Sequence, residues 1–227
     1  MRLAKYIADC GYCSRRKAET AIISGVVTVN GKLAAVTDSV SPGADEVLIN
    51  GEKISANSKI YIILNKPAGY LSSCRPGREK GKSVLDLVKV ETRIFPVGRL
   101  DRDSRGLLLL TNDGDLTYRL THPSQEKEKE YIISTDLPFS EKEVQLLIGG
   151  ICLNNTNCRF HQMEDLGGNR YRVILKQGIK RQIRLMAKAV GKMVLDLRRV
   201  RIAGLELGDL PEGKWKYLSS QEIEQLI

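Results

Sequence analysis

The 227-residue chain is short of almost everything that marks a redox, metal or membrane protein. Its two histidines, His122 and His161, stand far apart and offer little for imidazole metal chemistry. Five cysteines (Cys10, Cys13, Cys74, Cys152, Cys158) are an odd number without framework spacing, which fits reduced thiols in a reducing compartment. Cys10-Gly11-Tyr12-Cys13 has no second CxxC to complete the four ligands of a structural zinc, so the pair reads as helix-end cysteines facing a small core. No apolar run approaches the roughly 20 residues of a membrane-spanning helix. The stretch Met1-Arg2-Leu3-Ala4-Lys5-Tyr6 lacks the apolar segment of a secretory signal, so a cytoplasmic protein is expected. There is no nucleotide-binding glycine pattern, repeat or low-complexity segment.

What is present is positive charge. Thirty-six Lys and Arg face 27 Asp and Glu, a net charge of +9, with an isoelectric point near 9.3. Such a field attracts polyanions, and nucleic acid is the first partner to consider. With 42% hydrophobic residues the chain can bury one substantial core and a small accessory module.

The first quarter predicts two short helices, 2–9 and 14–24, ended by Gly11 and Gly25, with Ser14 as N-cap of the second. Val26-Val27-Thr28-Val29 then alternates into Asn30-Gly31, a tight-hairpin dipeptide, and Val47-Leu48-Ile49-Asn50-Gly51 repeats the pattern. The linker is read at Ser55-Ala56-Asn57-Ser58, giving modules 1–58 and 59–227. From residue 59, strands are expected at 60–64, 107–110, 131–134 and 171–175, with helices near 114–121, 140–148 and 179–190. They mix without regular alternation, so an α+β sheet domain is expected rather than a doubly wound parallel one.

Three sets of residues are candidates for chemistry. Arg15, Arg16 and Lys17 at a helix start, with Lys32 on the following hairpin, suit phosphate contacts, although a charge run alone is more often a solvated face. Gly98-Arg99-Leu100-Asp101-Arg102-Asp103-Ser104-Arg105-Gly106 is a charged, glycine-bounded loop between apolar stretches, where a sheet can hold a reactive group at its surface. In isolation Asp101 would be a salt-bridged turn. Residues 176–201 form the strongest basic stretch, with nine Lys and Arg opposed only by Asp196, and RNA is expected to run across it.

Longer motifs resolve these ambiguities. Leu3–Ala8, Ser14–Glu19 and Val27–Lys32 resemble the alpha-L RNA-binding module. Asn65-Lys66-Pro67-Ala68-Gly69, the string around Gly98–Asp101, Lys129-Glu130-Tyr131 and Lys180-Arg181-Gln182-Ile183-Arg184 occur in order and together resemble the pseudouridine synthases of the RsuA type. Gln177-Gly178-Ile179 is closer to the RluF branch, which acts on large-subunit ribosomal RNA, than to RsuA-type enzymes with Arg or Lys after the glycine.

The resemblance implies a mixed, largely antiparallel catalytic sheet, Asp101 as the catalytic carboxylate, Tyr131 stacked on a flipped uracil, and Arg184 ion-paired with Asp101. Arg181, Arg99 and Lys66 are implied in RNA contacts or loop support. No cofactor or metal is expected, because breaking the ribose C1′–N1 bond and rejoining C1′ to C5 is a net isomerisation. A covalent adduct and a glycal route both remain open. The expected partner is ribosomal RNA or an assembling subunit, approached by a monomer. A small-subunit or transfer RNA enzyme and a non-catalytic assembly factor are the alternatives.

Overall fold

The computed structural model describes residues 1–74 and 81–226. The described chain divides into two units, one of Met1–Ile60 with Val90–Ile94 and Asn112–Gly114, the other holding the rest.

In the first unit, α1 (Leu3–Asp9) and α2 (Arg15–Ile23) precede β1 (Val27–Val29), β2 (Lys32–Leu33), β3 (Val47–Ile49) and β4 (Glu52–Lys53). The strands order β2-β1-β3-β4 in an antiparallel sheet. Both hairpins turn on Asn-Gly, with Asn30, Gly31, Asn50 and Gly51 all at positive φ, as a type I′ turn requires. The apolar faces of α1 and α2 (Leu3, Ile7, Ala18, Ile22) close on Val27, Val47 and Ile49. That packing leaves Arg15, Arg16, Lys17 and Lys32 exposed. Ser14 accepts from the Lys17 amide at 3.4 Å and fixes where the basic turn begins.

The second unit is built on β5 (Tyr61–Lys66), β6 (Phe95–Val97), β7 (Arg105–Thr111), β8 (Lys129–Thr135), β11 (Gln162–Asp165), β12 (Arg170–Leu175), β13 (Val194–Ile202), β14 (Leu205–Glu206) and β15 (Trp215–Tyr217), with β9 (Ile151–Leu153) and β10 (Thr156–Cys158) as a separate hairpin. Its helices are α3 (Gly114–Thr121), α4 (Glu141–Gly149), α5 (Gln182–Ala189) and α6 (Ser220–Glu224). The main sheet runs β11-β12-β8-β13-β7-β5-β15 and is antiparallel except between β7 and β13. This is the mixed, largely antiparallel sheet that the resemblance implied. β5 and β7 are interior strands, and Ile62–Leu64 and Leu107–Leu110 are buried without alternation because both faces are covered.

The parallel contact explains one glycine. Gly106 lies beside Arg199, and a Cβ at its φ of +104° would stand 2.2 Å from the Arg199 carbonyl oxygen. Neither backbone can retreat without breaking the sheet. Gly106→Ala is therefore expected to cost about 3–5 kcal/mol, combining backbone strain and overpacking, measured by urea unfolding against wild type.

Two expectations are corrected. α5 begins at Gln182 rather than 179, because Arg181 adopts the left-handed region at φ 56° and ψ 25° and so ends the incoming loop. The basic stretch 176–201 is not a continuous RNA-facing surface. Its last third is β13, where Arg199 is buried and Arg201 pairs with Glu130 at 2.9 Å and Glu128 at 3.3 Å. Those carboxylates arrive from β8 and its approach, far away in sequence, so local charge counting does not see them. Among the described residues no helix is long and apolar enough to cross a membrane.

Candidate active site

The site forms where the loop from β6 to β7 meets β8, β13 and the start of α5. The loop is held from beneath by Lys66, which is fully buried. Its Nζ donates to the carbonyls of Ser104 at 2.6 Å, Pro67 at 3.0 Å and Asp101 at 3.1 Å, with Arg102 at 3.4 Å. The Gly69 amide donates to the Arg102 carbonyl at 2.7 Å, and the Ser104 amide donates to the Asp101 carbonyl at 3.1 Å, closing a turn. Ser72 Oγ donates to the Leu100 carbonyl at 3.0 Å and lies 3.2 Å from its amide. The Lys66-Pro67-Ala68-Gly69 motif is thus a clamp on the backbone that carries Asp101. Lys66 is corrected from a possible RNA contact to loop support, since its ammonium is inaccessible to RNA. Burial lowers its pKa to about 8, against the pull of Asp103, Asp101 and Glu212.

Over this loop stand two arginines from the start of α5. Arg181 Nη1 lies 3.9 Å from Asp101 Oδ2 and 3.2 Å from Asp103 Oδ1. Arg184 donates from Nη1 to the Val194 carbonyl at 2.7 Å and from Nη2 to the Asp103 carbonyl at 3.3 Å. Its Nε approaches Asp103 Oδ2 at 3.4 Å, close enough for attraction but not aligned as a hydrogen bond. The ion pair assigned on sequence to Arg184 and Asp101 is therefore corrected: Arg184 pairs with Asp103, and Arg181 is the guanidinium that reaches Asp101. The Arg181 side chain extends across the loop from its left-handed backbone, whereas Arg184 is tied to β13. Burial opposes ionisation of Asp103, yet the Arg181 hydrogen bond and the nearby Arg184 outweigh it and hold that carboxyl below its ordinary value.

The far wall is the sheet. Tyr131 and Lys129 share a face of β8, and Arg199 is the cross-strand partner of Tyr131 on β13, so its side chain rises on that same face. The register shifts between Arg199 and Arg201. That bulge turns Arg201 away to its carboxylates while Arg199 stays inside.

Asp101, Tyr131, Arg184, Arg181 and Arg99 all line one cavity of about 820 Å³, ample for one extruded nucleotide. Cationic side chains on its wall outnumber the two carboxylates, Asp101 and Glu126. Arg15, Arg16, Lys17 and Lys32 belong to the other unit. Sequence reasoning did not single out Lys129, Ser104 or Arg199, which also line the cavity. Lys129 was signalled only as the motif neighbour of Tyr131, and Arg199 only as one charge in a basic run.

A carboxylate beside a guanidinium, an aromatic ring on a sheet face and a cation-rich, partly enclosed space suit an anionic polymer that inserts one base. Residues 60–189 match the family model described as RNA pseudouridylate synthase, and residues 1–46 match the S4 domain model. The chain is 38% identical over 230 residues to the dual-specificity RNA pseudouridine synthase RluF of Escherichia coli (strain K12), covering 100% of this chain and 78% of that one. It is 35% identical over 233 residues to the ribosomal large subunit pseudouridine synthase B of Bacillus subtilis (strain 168), covering 99% and 95%. A solved structure described as a pseudouridylate synthase aligns over 100% of both chains, with a TM-score of 0.73 and 28% identity. With an S4 domain ahead of a matching catalytic sheet, the chain belongs to the RNA pseudouridylate synthase family and is an RNA pseudouridine synthase.

Proposed function

We propose that the chain isomerises one uridine of large-subunit ribosomal RNA, with Asp101 as the carboxylate that starts the reaction. The reading rests on one observation above all: segments near residues 101, 131 and 184 converge on a single cavity. The names of two relatives, one of them a large ribosomal subunit enzyme, support the choice of RNA.

In this reading the target nucleotide leaves its stack and enters the cavity, at a cost of a few kcal/mol in unstacking that phosphate contacts offset. Tyr131 lies against the uracil, and its phenol is placed to help move the C5 proton. Arg181 and Arg184 hold the Asp101–Asp103 turn in one geometry and set positive charge beside its carboxylates. Arg99, exposed on the rim, meets the RNA backbone. The exposed cations of residues 1–58 grip flanking RNA, and the protein works as a cytoplasmic monomer.

Pseudouridine mapping of RNA from a strain lacking the gene tests the address. One position should be lost from the large-subunit RNA and restored by the wild-type gene. Loss from small-subunit or transfer RNA instead would overturn that address while keeping the chemistry.

The grip of the first unit is tested by substitution. Excision at residue 58 would strip segments 90–94 and 112–114 of the unit they pack into. Arg15→Ala/Arg16→Ala/Lys17→Ala is expected to weaken RNA binding about tenfold or more in low salt and to flatten the slope of log K against log salt by about two to three. An unchanged slope, read by filter binding over a salt series, would remove these residues from the interface.

A further inference from the structure

Several polar groups facing the cavity, Arg199, Ser104 and Lys129 among them, are not accounted for by the roles above. Arg199 is 2% exposed and donates from Nε to the Leu107 carbonyl at 2.8 Å, but its Nη2 finds no hydrogen-bond partner among the described residues. Ser104, 1% exposed, likewise leaves its Oγ unpartnered. Lys129 donates to the Lys127 carbonyl at 2.8 Å. Neither Lys129 nor Arg199 makes an ion pair among the described residues.

A buried guanidinium nitrogen left without an acceptor is costly, and beside a reaction cavity a ligand oxygen would offset that cost. Position decides which group. The outer cations Arg99, Lys180 and Arg181 are exposed and suit phosphates, which remain at the mouth of the cavity. Lys129 and Arg199 lie deeper, on the sheet face that carries Tyr131, where an inserted base meets the protein.

We propose that Lys129 and Arg199 form a cationic floor that receives the carbonyl oxygens of the inserted uracil and stabilises the negative charge it acquires during the reaction. This deepens the functional reading above and rests on it. When the C1′–N1 bond breaks, its electron pair goes to N1 and spreads onto O2 and O4. C1′ is satisfied either by a new bond to the Asp101 carboxylate or, after that carboxylate takes the C2′ proton, by a C1′–C2′ double bond. Attack of Asp101 on C6 of the base would also push a pair onto O4. Every route puts an oxyanion on the same ring edge, so the floor acts whichever is followed. The base then turns and C5 joins C1′: the Asp101 adduct bond breaks, or in the glycal route the Asp101 carboxyl returns its proton to C2′, while C5 gives up a proton and N1 takes one, so no atom or electron is gained or lost overall. The arrangement works as an oxyanion hole does: donors are fixed before the charge appears and need no reorganisation when it does. Burial and the neighbouring Arg199 depress the Lys129 pKa to about 8, so the ammonium form still prevails at neutral pH.

The test uses Lys129→Met, which keeps the stem and removes the charge, and Lys129→Arg, which restores it. Arg199 is unsuitable because its Nε also ties β13 to β7. The probe is the ribosomal RNA fragment on which wild-type activity maps, made with either uridine or the more acidic 5-fluorouridine at the target. Cleavage of the glycosidic bond is followed in a single turnover. On uridine RNA, Lys129→Met should be slowed about 10²-fold, with the RNA Kd within about twofold of wild type. On 5-fluorouridine RNA the defect should shrink about tenfold, because a base that carries negative charge more readily needs the floor less. Lys129→Arg should recover most of the rate. Comparing the two RNAs on one preparation cancels any unfolded fraction. Equal defects on both RNAs, or a weakened Kd at unchanged rate, would overturn the floor and make Lys129 a structural or phosphate contact. A wild type that leaves uridine untouched would instead overturn the functional reading beneath it.

Discussion

Asp101→Asn should abolish pseudouridine formation, with a single-turnover rate more than about 10⁴-fold below wild type, as when an enzyme loses its nucleophile or base. RNA affinity should stay within about twofold. The two expectations come from the same geometry. Asp101 is held through its backbone: its carbonyl accepts from the Ser104 amide and from Lys66, and neither contact involves the carboxylate. An amide in its place keeps the turn and the volume but neither attacks carbon nor accepts a proton at a useful rate. Among the described residues its side chain makes one ion pair, to Arg181 at 3.9 Å, which is long and partly exposed, so stability should change by less than about 1 kcal/mol. Filter binding and pseudouridine mapping on one preparation separate binding from chemistry. Unchanged modification by the Asn variant would remove Asp101 from the mechanism.

The second large effect is expected at a buried residue that itself touches no RNA. Lys66→Met should lower kcat by about 10²-fold, since misplacing a reacting group by about 1 Å is enough for that, and should destabilise the protein by about 2–4 kcal/mol as buried carbonyls lose their donor. KM should change little. Removing a surface phosphate contact would do the reverse, so the split between kcat and KM distinguishes a clamp from a ligand. The dependence of stability on pH gives an independent check. The folded-state pKa of Lys66, about 8, lies below its unfolded value. Below pH 8 both states carry the proton and the full cost of burying the charge is present. As pH rises through 8 toward the unfolded value, the unfolded chain holds more protons and that cost is relieved. Wild type should therefore gain stability relative to Lys66→Met across this window, read from urea midpoints in a pH series.

Some of this architecture is legible in the sequence. The Asn-Gly hairpins and the two short helices follow from local chemistry, because each turn residue specifies its own φ. The apolar runs of β5 and β7 announce a sheet covered on both faces. β13 does not announce itself. Val194–Ile202 carries three arginines and an aspartate, and its bulge breaks the alternation by which a strand is recognised. The same bulge hid Arg199, since a linear reading treats it as equivalent to Arg198 and Arg201. Lys66 could be placed near the loop by its motif, but whether a lysine points to solvent or into a core depends on tertiary packing. The partner of Arg184 was misjudged for a related reason: Asp101 and Asp103 are two residues apart, and only the turn between them decides which one each guanidinium meets.

The order of strands in the main sheet has a consequence for synthesis. α1 to β4 all precede the catalytic sheet along the chain, so the unit proposed to grip RNA finds most of its contacts before that sheet is made. The catalytic sheet is different. β7 meets β8 only through β13, and β5 waits for Trp215–Tyr217. A pairing such as Leu64 with Trp215 closes a very long loop, the kind of contact that slows folding. The unit proposed to hold RNA is thus assembled ahead of the sheet that would change it, and the lysine-clamped aspartate gains its full cavity wall only when β13 has emerged, as far as Ile202.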